Sequence, residues 1–305
     1  MPKDAIVPKV ERALAPLGYT VETAVTSGPA DATRLARRAC EEGFDMVLAA
    51  GGDGTVNEIA ASLCHTPVTL GILPCGSGNG LARHLGIPVD IDGALRIVCA
   101  GHCVTADCAT VNGRPFFCTF GVGFDAAVSE KFARQRRRGK LTYIRSALAT
   151  YVKYHPQIYT ISANGHVLTE RAFLVAVCNA SQYGNNAYIA PEASITDGLL
   201  DVTIVHNGPL PSMALMGLDM MTGYINRNTL IHTFRTPAVT ISRRASGPAH
   251  IDGEPVSIAD VMEISCVPSA LRVFTPGETA FRPIITPVTS LFRDIRLTLR
   301  HIFRP

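Results

Sequence analysis

Up to Thr105, apolar and polar positions follow two rhythms in turn. Lys3–Pro16 and Asp31–Glu42 carry apolar residues at helical spacing, with Leu35, Ala36 and Ala39 on one face of the second segment. Tyr19–Thr26 between them reads as a short strand. Asp45–Ala50 (DMVLAA) is a compact apolar run that stops at Gly51-Gly52, and a helical pattern resumes over Asn57–Cys64. Val68–Leu73 is a second buried strand closed by Pro74, followed by a helix over Gly78–Leu85. Strand–loop–helix units of this length predict a parallel sheet flanked by helices. Ligands of such sheets bind beyond the carboxyl ends of the strands, and both glycine-rich loops of this chain lie there.

Beyond Thr105 the rhythm changes. Ala109–Phe120, Gln157–Ala163, Ala172–Ala180, Leu200–Val205, Ala238–Arg243, Val261–Cys266 and Ala270–Phe274 read as strands. Helical stretches interrupt them at Ala126–Arg138, Thr142–Tyr154 and Pro211–Gly223. The pattern divides the chain into an α/β domain over residues 1–107, a β-rich domain over 108–275 and a C-terminal segment over 276–305. In the last, Leu291, Ile295, Leu299, Ile302 and Phe303 form one helical stripe, with Arg293, Arg296, Arg300 and Arg304 around the other side. Such a helix either docks on the N-terminal domain or lies on an anionic membrane surface.

Composition narrows the class. Of 305 residues, 47% are hydrophobic and 17% charged, which excludes a disordered chain. No apolar run reaches the roughly 18 residues that span a bilayer. The nine cysteines form no Cys-x-x-Cys pair, which fits a reducing, cytoplasmic setting. A net charge of +3 gives no case for nucleic acid. The charge is concentrated: Lys131, Arg134, Arg136, Arg137, Arg138 and Lys140 crowd one segment, as suits phosphates, anionic lipid or a solvated helix face.

Two loops carry the chemistry. In LAAGGDGTVNE (Leu48–Glu58) a buried strand ends at Gly51 and Gly52, and Asp53, Gly54 and Thr55 lead into a helix. Glycines allow close backbone approach, and the free N–H groups of a helix N-terminus attract phosphate. Asp53 places a carboxylate where it can hold a magnesium-bound water, accept a proton or simply cap the helix. In LPCGSGNGLAR (Leu73–Arg83), Gly76, Ser77, Gly78 and Asn79 repeat this logic on the next strand. One such loop is weak; two on successive strands predict a nucleotide site. Asp252-Gly253-Glu254 and Asp197-Gly198-Leu199-Leu200-Asp201 are acidic turns, the second also a plausible oxygen-ligand turn for a hard cation. His84, His155 and His250 show no metal or triad spacing and read as structural.

Together GGDGTVNE and LPCGSGNGLAR resemble the diacylglycerol kinase catalytic family, which includes bacterial lipid kinases, sphingosine kinases and ceramide kinases. The resemblance continues through GVGFDAAVSEKFARQRRRGKLTY (Gly121–Tyr143), PEASITDGLLDV (Pro191–Val202) and IDGEPV (Ile251–Val256). It implies an α/β fold with an NAD kinase/diacylglycerol kinase-like parallel-sheet domain and a β-rich, sandwich-like second domain. It implies ATP and Mg²⁺ at Gly51–Thr55 and Gly76–Asn79, and a lipid hydroxyl as acceptor. Glu254 matches a general base proposed in bacterial members, and Asp53 the base assigned in sphingosine kinases. Asp125 matches an acidic residue that touches the lipid head in sphingosine kinases, and Asp197 and Asp201 match a structural magnesium site.

The G-S-G-N form of the second loop is closer to sphingosine and ceramide kinases than the bacterial G-T-x-N-D form. Family members also begin with a strand and an N-P-x-S-G loop, whereas this chain starts in the following helix. The expectation is a parallel sheet short of one strand and a site short of one wall. The implied activity is phosphorylation of a lipid alcohol, diacylglycerol first and a sphingoid base second, by an enzyme peripheral to the inner membrane face and compatible with a homodimer. NAD kinase shares GGDGT, but its N-x-G-x-x-G-F element is missing here. A non-catalytic lipid- or nucleotide-binding protein is the remaining alternative.

Overall fold

The computed structural model describes residues 5–133, 150–151 and 154–277. In helix α1 (Ile6–Leu14) Ile6, Val10 and Leu14, four residues apart, face the core. Helix α2 (Asp31–Glu41) has its first turn met by Glu58 of helix α3 (Asp53–Leu63), whose carboxylate accepts from Ala30 N and Thr33 N. Strand β1 (Met46–Gly51) runs parallel to β2 (Thr69–Pro74), with Met46 opposite Thr69 and Gly51 opposite Pro74. Helices α4 (Gly80–His84) and α5 (Ile91–Ala100) follow. Helix α5 is capped by Asp90, which accepts from Gly93 N at 2.7 Å, and closes on Gly101 at φ 73°. The helices pack in two pairs, α1 with α5 and α2 with α3.

The rest of the chain is antiparallel but for the end of its last strand: β3 (Cys103–Val111), β4 (Arg114–Phe116), β5 (Thr119–Gly123), helix α6 (Phe124–Ala133), β6 (Gln157–Ala163), β7 (His166–Ala172), β8 (Leu174–Cys178), β9 (Leu200–Val205), helix α7 (Leu210–Thr222), β10 (Ile231–Thr236), β11 (Ala238–Arg243), β12 (Gly247–Ile251), β13 (Glu254–Ile258) and β14 (Val261–Phe274). Six strands form one sheet in the order β10-β9-β8-β5-β12-β13. The other sheet runs β1-β2-β14-β11-β6-β7, with β3 and β4 attached beside β14. Phe116, Phe120, Tyr159, Ile161, Val177, Val202, Ile241 and Met262 fill one core between the strands. Long strand β14 is the splice: Val261–Ser265 pair with β11, while Val273 lies parallel to Leu70 of β2. The α/β half and the sandwich therefore share one sheet.

The architecture is the predicted one, with local differences. Tyr19–Thr26 forms no strand: it pairs with no strand among the described residues, and it runs along the surface with Tyr19 and Val25 exposed and Val21 packed against the core. Ala109–Phe120 is broken at Asn112-Gly113, whose positive φ angles of 48° and 77° turn β3 into β4. Val261–Cys266 and Ala270–Phe274 are one strand with a register shift between Val267 and Leu271. The C-terminal basic helix, most of Thr142–Tyr154 and the basic run beyond Ala133 lie outside the described residues.

Candidate active site

The two glycine loops meet backbone to backbone. The ladder between β1 and β2 ends with Cys75 N donating to Gly51 O at 2.8 Å. Just beyond it, a Cβ on Gly76 would lie 2.6 Å from Gly52 Cα, a contact that no side chain tolerates. The Thr55 side chain folds back over Gly51, where a Cβ would meet it at 2.6 Å.

Asp53 stands at the first position of α3, but it serves the other loop. Its Oδ2 accepts from Asn79 N at 2.9 Å and its Oδ1 from Gly80 N at 2.6 Å, so it caps α4 across the junction. Asn79 adopts the left-handed conformation at φ 51° and clasps the Gly76 peptide, accepting from Gly76 N at 3.0 Å and donating to Gly76 O at 2.9 Å. Ser77 is left exposed at the loop tip. Sequence reasoning passed over Arg83, whose Nε donates to Gly78 O at 3.1 Å and whose Nη1 donates to Asn186 Oδ1 at 3.3 Å.

Glu254 arrives from the sandwich. Asp252 and Gly253 both have positive φ, 50° and 82°, and join β12 to β13 in the two-residue turn that Asp-Gly favours. The Asp252 carboxylate anchors this turn by accepting from Phe117 N, Cys118 N and Thr119 N at 2.8–2.9 Å. The anchored turn sets Glu254 over the start of α3, where a Cβ on Gly54 would lie 2.8 Å from Glu254 Oε1. Glu254 is exposed, and its carboxylate takes no hydrogen bond among the described residues. Asp53, Glu254 and both glycine loops thus converge on one helix N-terminus.

Asp125 lies deeper, 6% exposed at the start of α6. Its Oδ1 accepts from Ala126 N at 2.8 Å; its Oδ2 accepts from Tyr183 Oη and faces His250 Nε2, both at 3.0 Å. No sequence spacing pairs His250 with Asp125; the ladder does, by setting His250 of β12 opposite Gly121 of β5. Beside Asp125, Phe124, Tyr151, Tyr154 and Phe173 form an aromatic cluster with Phe124 stacked on Phe173 at 4.4 Å. His84, at the end of α4, has Nδ1 3.1 Å from Ser181 N and 3.0 Å from Ser181 Oγ; burial pushes its imidazole down to about 4.

Asp197 and Asp201 come together elsewhere, around Arg235. The guanidinium Nε donates to Asp201 Oδ1 at 3.1 Å, Nη1 stands 3.8 Å from Asp197 Oδ2, and Nη2 donates to Glu192 O. Burial pushes the Asp201 carboxyl up against the pull of Arg235. Asp201 Oδ2 is buried without a hydrogen-bond partner among the described residues, which would welcome a cation, yet the cradle already holds one. These residues fit an arginine salt bridge better than a resident divalent ion. Among the described residues no group of three or more His, Cys, Asp or Glu forms a metal site.

Comparison with known proteins assigns both halves of the chain. Residues 2–111 match the diacylglycerol kinase catalytic domain, and residues 118–275 match the YegS C-terminal NAD kinase beta sandwich-like domain. A "probable lipid kinase YegS-like" protein of Pectobacterium atrosepticum is 31% identical over 86% of this chain and 88% of its own length. An uncharacterized protein of Synechocystis is 30% identical over 78% of this chain, and there the chain spans only 57% of the relative. A diacylglycerol kinase crystal structure from Bacillus anthracis superposes with a TM-score of 0.70 at 20% identity, covering 90% of this chain and 93% of the other; it shows the fold. With both halves matched and both carrying the converging loops, the chain belongs to the diacylglycerol kinase-like, YegS-like family of lipid kinases.

Proposed function

We propose that this kinase transfers the γ-phosphoryl group of MgATP to the hydroxyl of a neutral lipid alcohol, with diacylglycerol, giving phosphatidic acid, as the substrate of first choice. The observation that carries the reading is the Glu254 carboxylate, exposed and without a hydrogen-bond partner among the described residues, over the N-terminal turn of α3. Nucleotide phosphates fit the start of α3 between the Gly51–Thr55 and Gly76–Asn79 loops, as anions do at helix starts, with Gly76 N and Asn79 N already taken by Asn79 and Asp53. The magnesium ion arrives with the nucleotide and offsets phosphate charge. The lipid oxygen attacks the γ-phosphorus in line, Glu254 takes the hydroxyl proton, and the bond to the bridging oxygen breaks to release ADP. Asp53, with both oxygens already hydrogen-bonded to backbone, shapes the loops rather than serving as the base.

One feature favours a neutral acceptor. Asp125, the expected partner of a lipid head, is buried and already engaged by Tyr183, His250 and Ala126 N, so a sphingoid ammonium finds it occupied. The aromatic cluster beside it offers an apolar wall to an acyl chain. No helix among the described residues is long and apolar enough to cross a membrane, which suits an enzyme that works peripherally at the inner membrane face. The test is product formation from MgATP with diacylglycerol, ceramide, sphingosine and NAD in parallel, the lipids in mixed micelles. A phosphorylated product with diacylglycerol well above the others is expected. Preference for sphingosine would restore Asp125 as the head-group ligand, and turnover of NAD alone would overturn the lipid assignment.

A further inference from the structure

Beside the Asp252 anchor, the Glu254 turn is met by a second side chain that sequence spacing gave no reason to notice. His250 is 1% exposed on β12, two residues before Asp252. Its Nε2 lies 3.0 Å from Asp125 Oδ2, and its Nδ1 lies 3.4 Å from Gly253 N. An ionised carboxylate only accepts and a backbone N–H only donates, so both contacts require the same tautomer, with the proton on Nε2 and a bare Nδ1. The space is built for the pair. A Cβ on Gly121 would lie 2.2 Å from Asp125 Oδ2 and 2.3 Å from His250 Nε2, so β5 carries glycine directly beneath them.

The other donor to Asp125 Oδ2 is Tyr183, whose ring stands edge-on to His250 at 5.6 Å. The segment after Tyr183 rests on the second glycine loop: Asn185 N donates to Gly78 O at 3.3 Å, and a Cβ on Gly184 would lie 3.2 Å from the Gly78 carbonyl. Contacts therefore run from the second glycine loop to Asn185, along the backbone to Tyr183, and by hydrogen bonds through Asp125 and His250 to Gly253, one residue from Glu254.

We infer that His250 is a positioning residue for Glu254, held in its Nε2–H tautomer by Asp125 so that Nδ1 fixes the Gly253 peptide. The inference rests on Glu254 being the base, and the experiment separates the two. Asparagine can place an amide oxygen near Nδ1, and glutamine an amide N–H near Nε2. His250→Asn then keeps the Gly253 contact and loses Asp125, whereas His250→Gln does the reverse. His250→Gln is expected to lower kcat on the order of 10-fold or more with the KM for ATP within about twofold, since small misplacement of a reacting group is costly. His250→Asn keeps most of kcat. Amide exchange at Gly253 quickens in His250→Gln alone, and ¹⁵N shifts of the wild-type full chain show the Nε2–H form. An Nδ1–H tautomer, equal kcat in the two variants, or a Gly253 amide indifferent to both overturns the inference. If the wild type phosphorylates no lipid, the function reading fails, while the tautomer and Gly253 exchange still decide the role of His250.

Discussion

Two walls face each other across the first turn of α3, the glycine-loop wall carrying one acidic side chain and the hairpin wall two. On the glycine-loop wall, Asp53 spends both carboxylate oxygens on Asn79 N and Gly80 N. On the hairpin wall, Asp252 takes the backbone contacts, accepting three N–H groups, and Glu254 is left unengaged among the described residues. Each wall thus has a carboxylate that holds backbone, but only the hairpin wall has a second one to spare. A carboxylate saturated by main-chain donors organises a loop; an open one beside a phosphate cradle is fit to receive a proton. Proximity to the site does not assign a role, and the partners of each oxygen do.

The comparison breaks first at Asp53. Asp53→Ala leaves two N–H groups of the α4 start without their charged acceptor, at a cost of roughly 2–4 kcal/mol in stability. Chemical denaturation should show that loss, together with a rise in the KM for ATP of about tenfold. Unchanged stability would mean that the loop junction does not depend on this carboxylate. Gly76→Ala sharpens the same wall. Its new methyl meets Gly52 Cα and Asn79 Oδ1, so the loops must part, with a loss of roughly 1–3 kcal/mol and weaker ATP binding by calorimetry. Gly253→Ala, on the hairpin wall, meets no atom within 4 Å and pays only for its φ of 82°.

A further effect is set by pH. His84 is held neutral in the fold, with its imidazole pushed down to about 4 from an ordinary 6.5. Below pH 6.5 the unfolded chain takes up a proton that the folded chain refuses, so stability falls as pH drops from 6.5 towards 4 and levels off below that. Between pH 7 and 5 the loss is at most ~2 kcal/mol. It acts on the glycine-loop wall, through the Ser181 contact that follows α4. His84→Gln should flatten this part of the stability-against-pH curve; an unaltered curve would place the acid sensitivity elsewhere.

Much of the site was legible because it is local. Gly51–Thr55 and Gly76–Asn79 end the two parallel strands as the pattern predicts, and Asp252-Gly253 forms the tight turn its residues favour. Some signals were present and passed over. Asn112-Gly113 and Asn164-Gly165 are hairpin turns spelled out in the sequence, and Asp90 with Gly101 brackets helix α5. What sequence could not give is long-range partnership. Asp125 and His250 meet only because β5 and β12 pair in one register, and Arg235 reaches Asp201 only because β10 pairs with β9. Tyr19–Thr26 shows the converse: strand-like residues do not make a strand unless they pair with one, and these pair with none among the described residues.

The division of labour between the walls is tested most directly by single-turnover transfer from radiolabelled MgATP to diacylglycerol, comparing wild type with Glu254→Gln at saturating nucleotide. The account predicts that Glu254→Gln folds and binds ATP as the wild type does, while the transfer rate falls by on the order of 10²–10⁴-fold. A wild-type transfer rate in Glu254→Gln, or a loss of ATP affinity in place of a loss of rate, would contradict it.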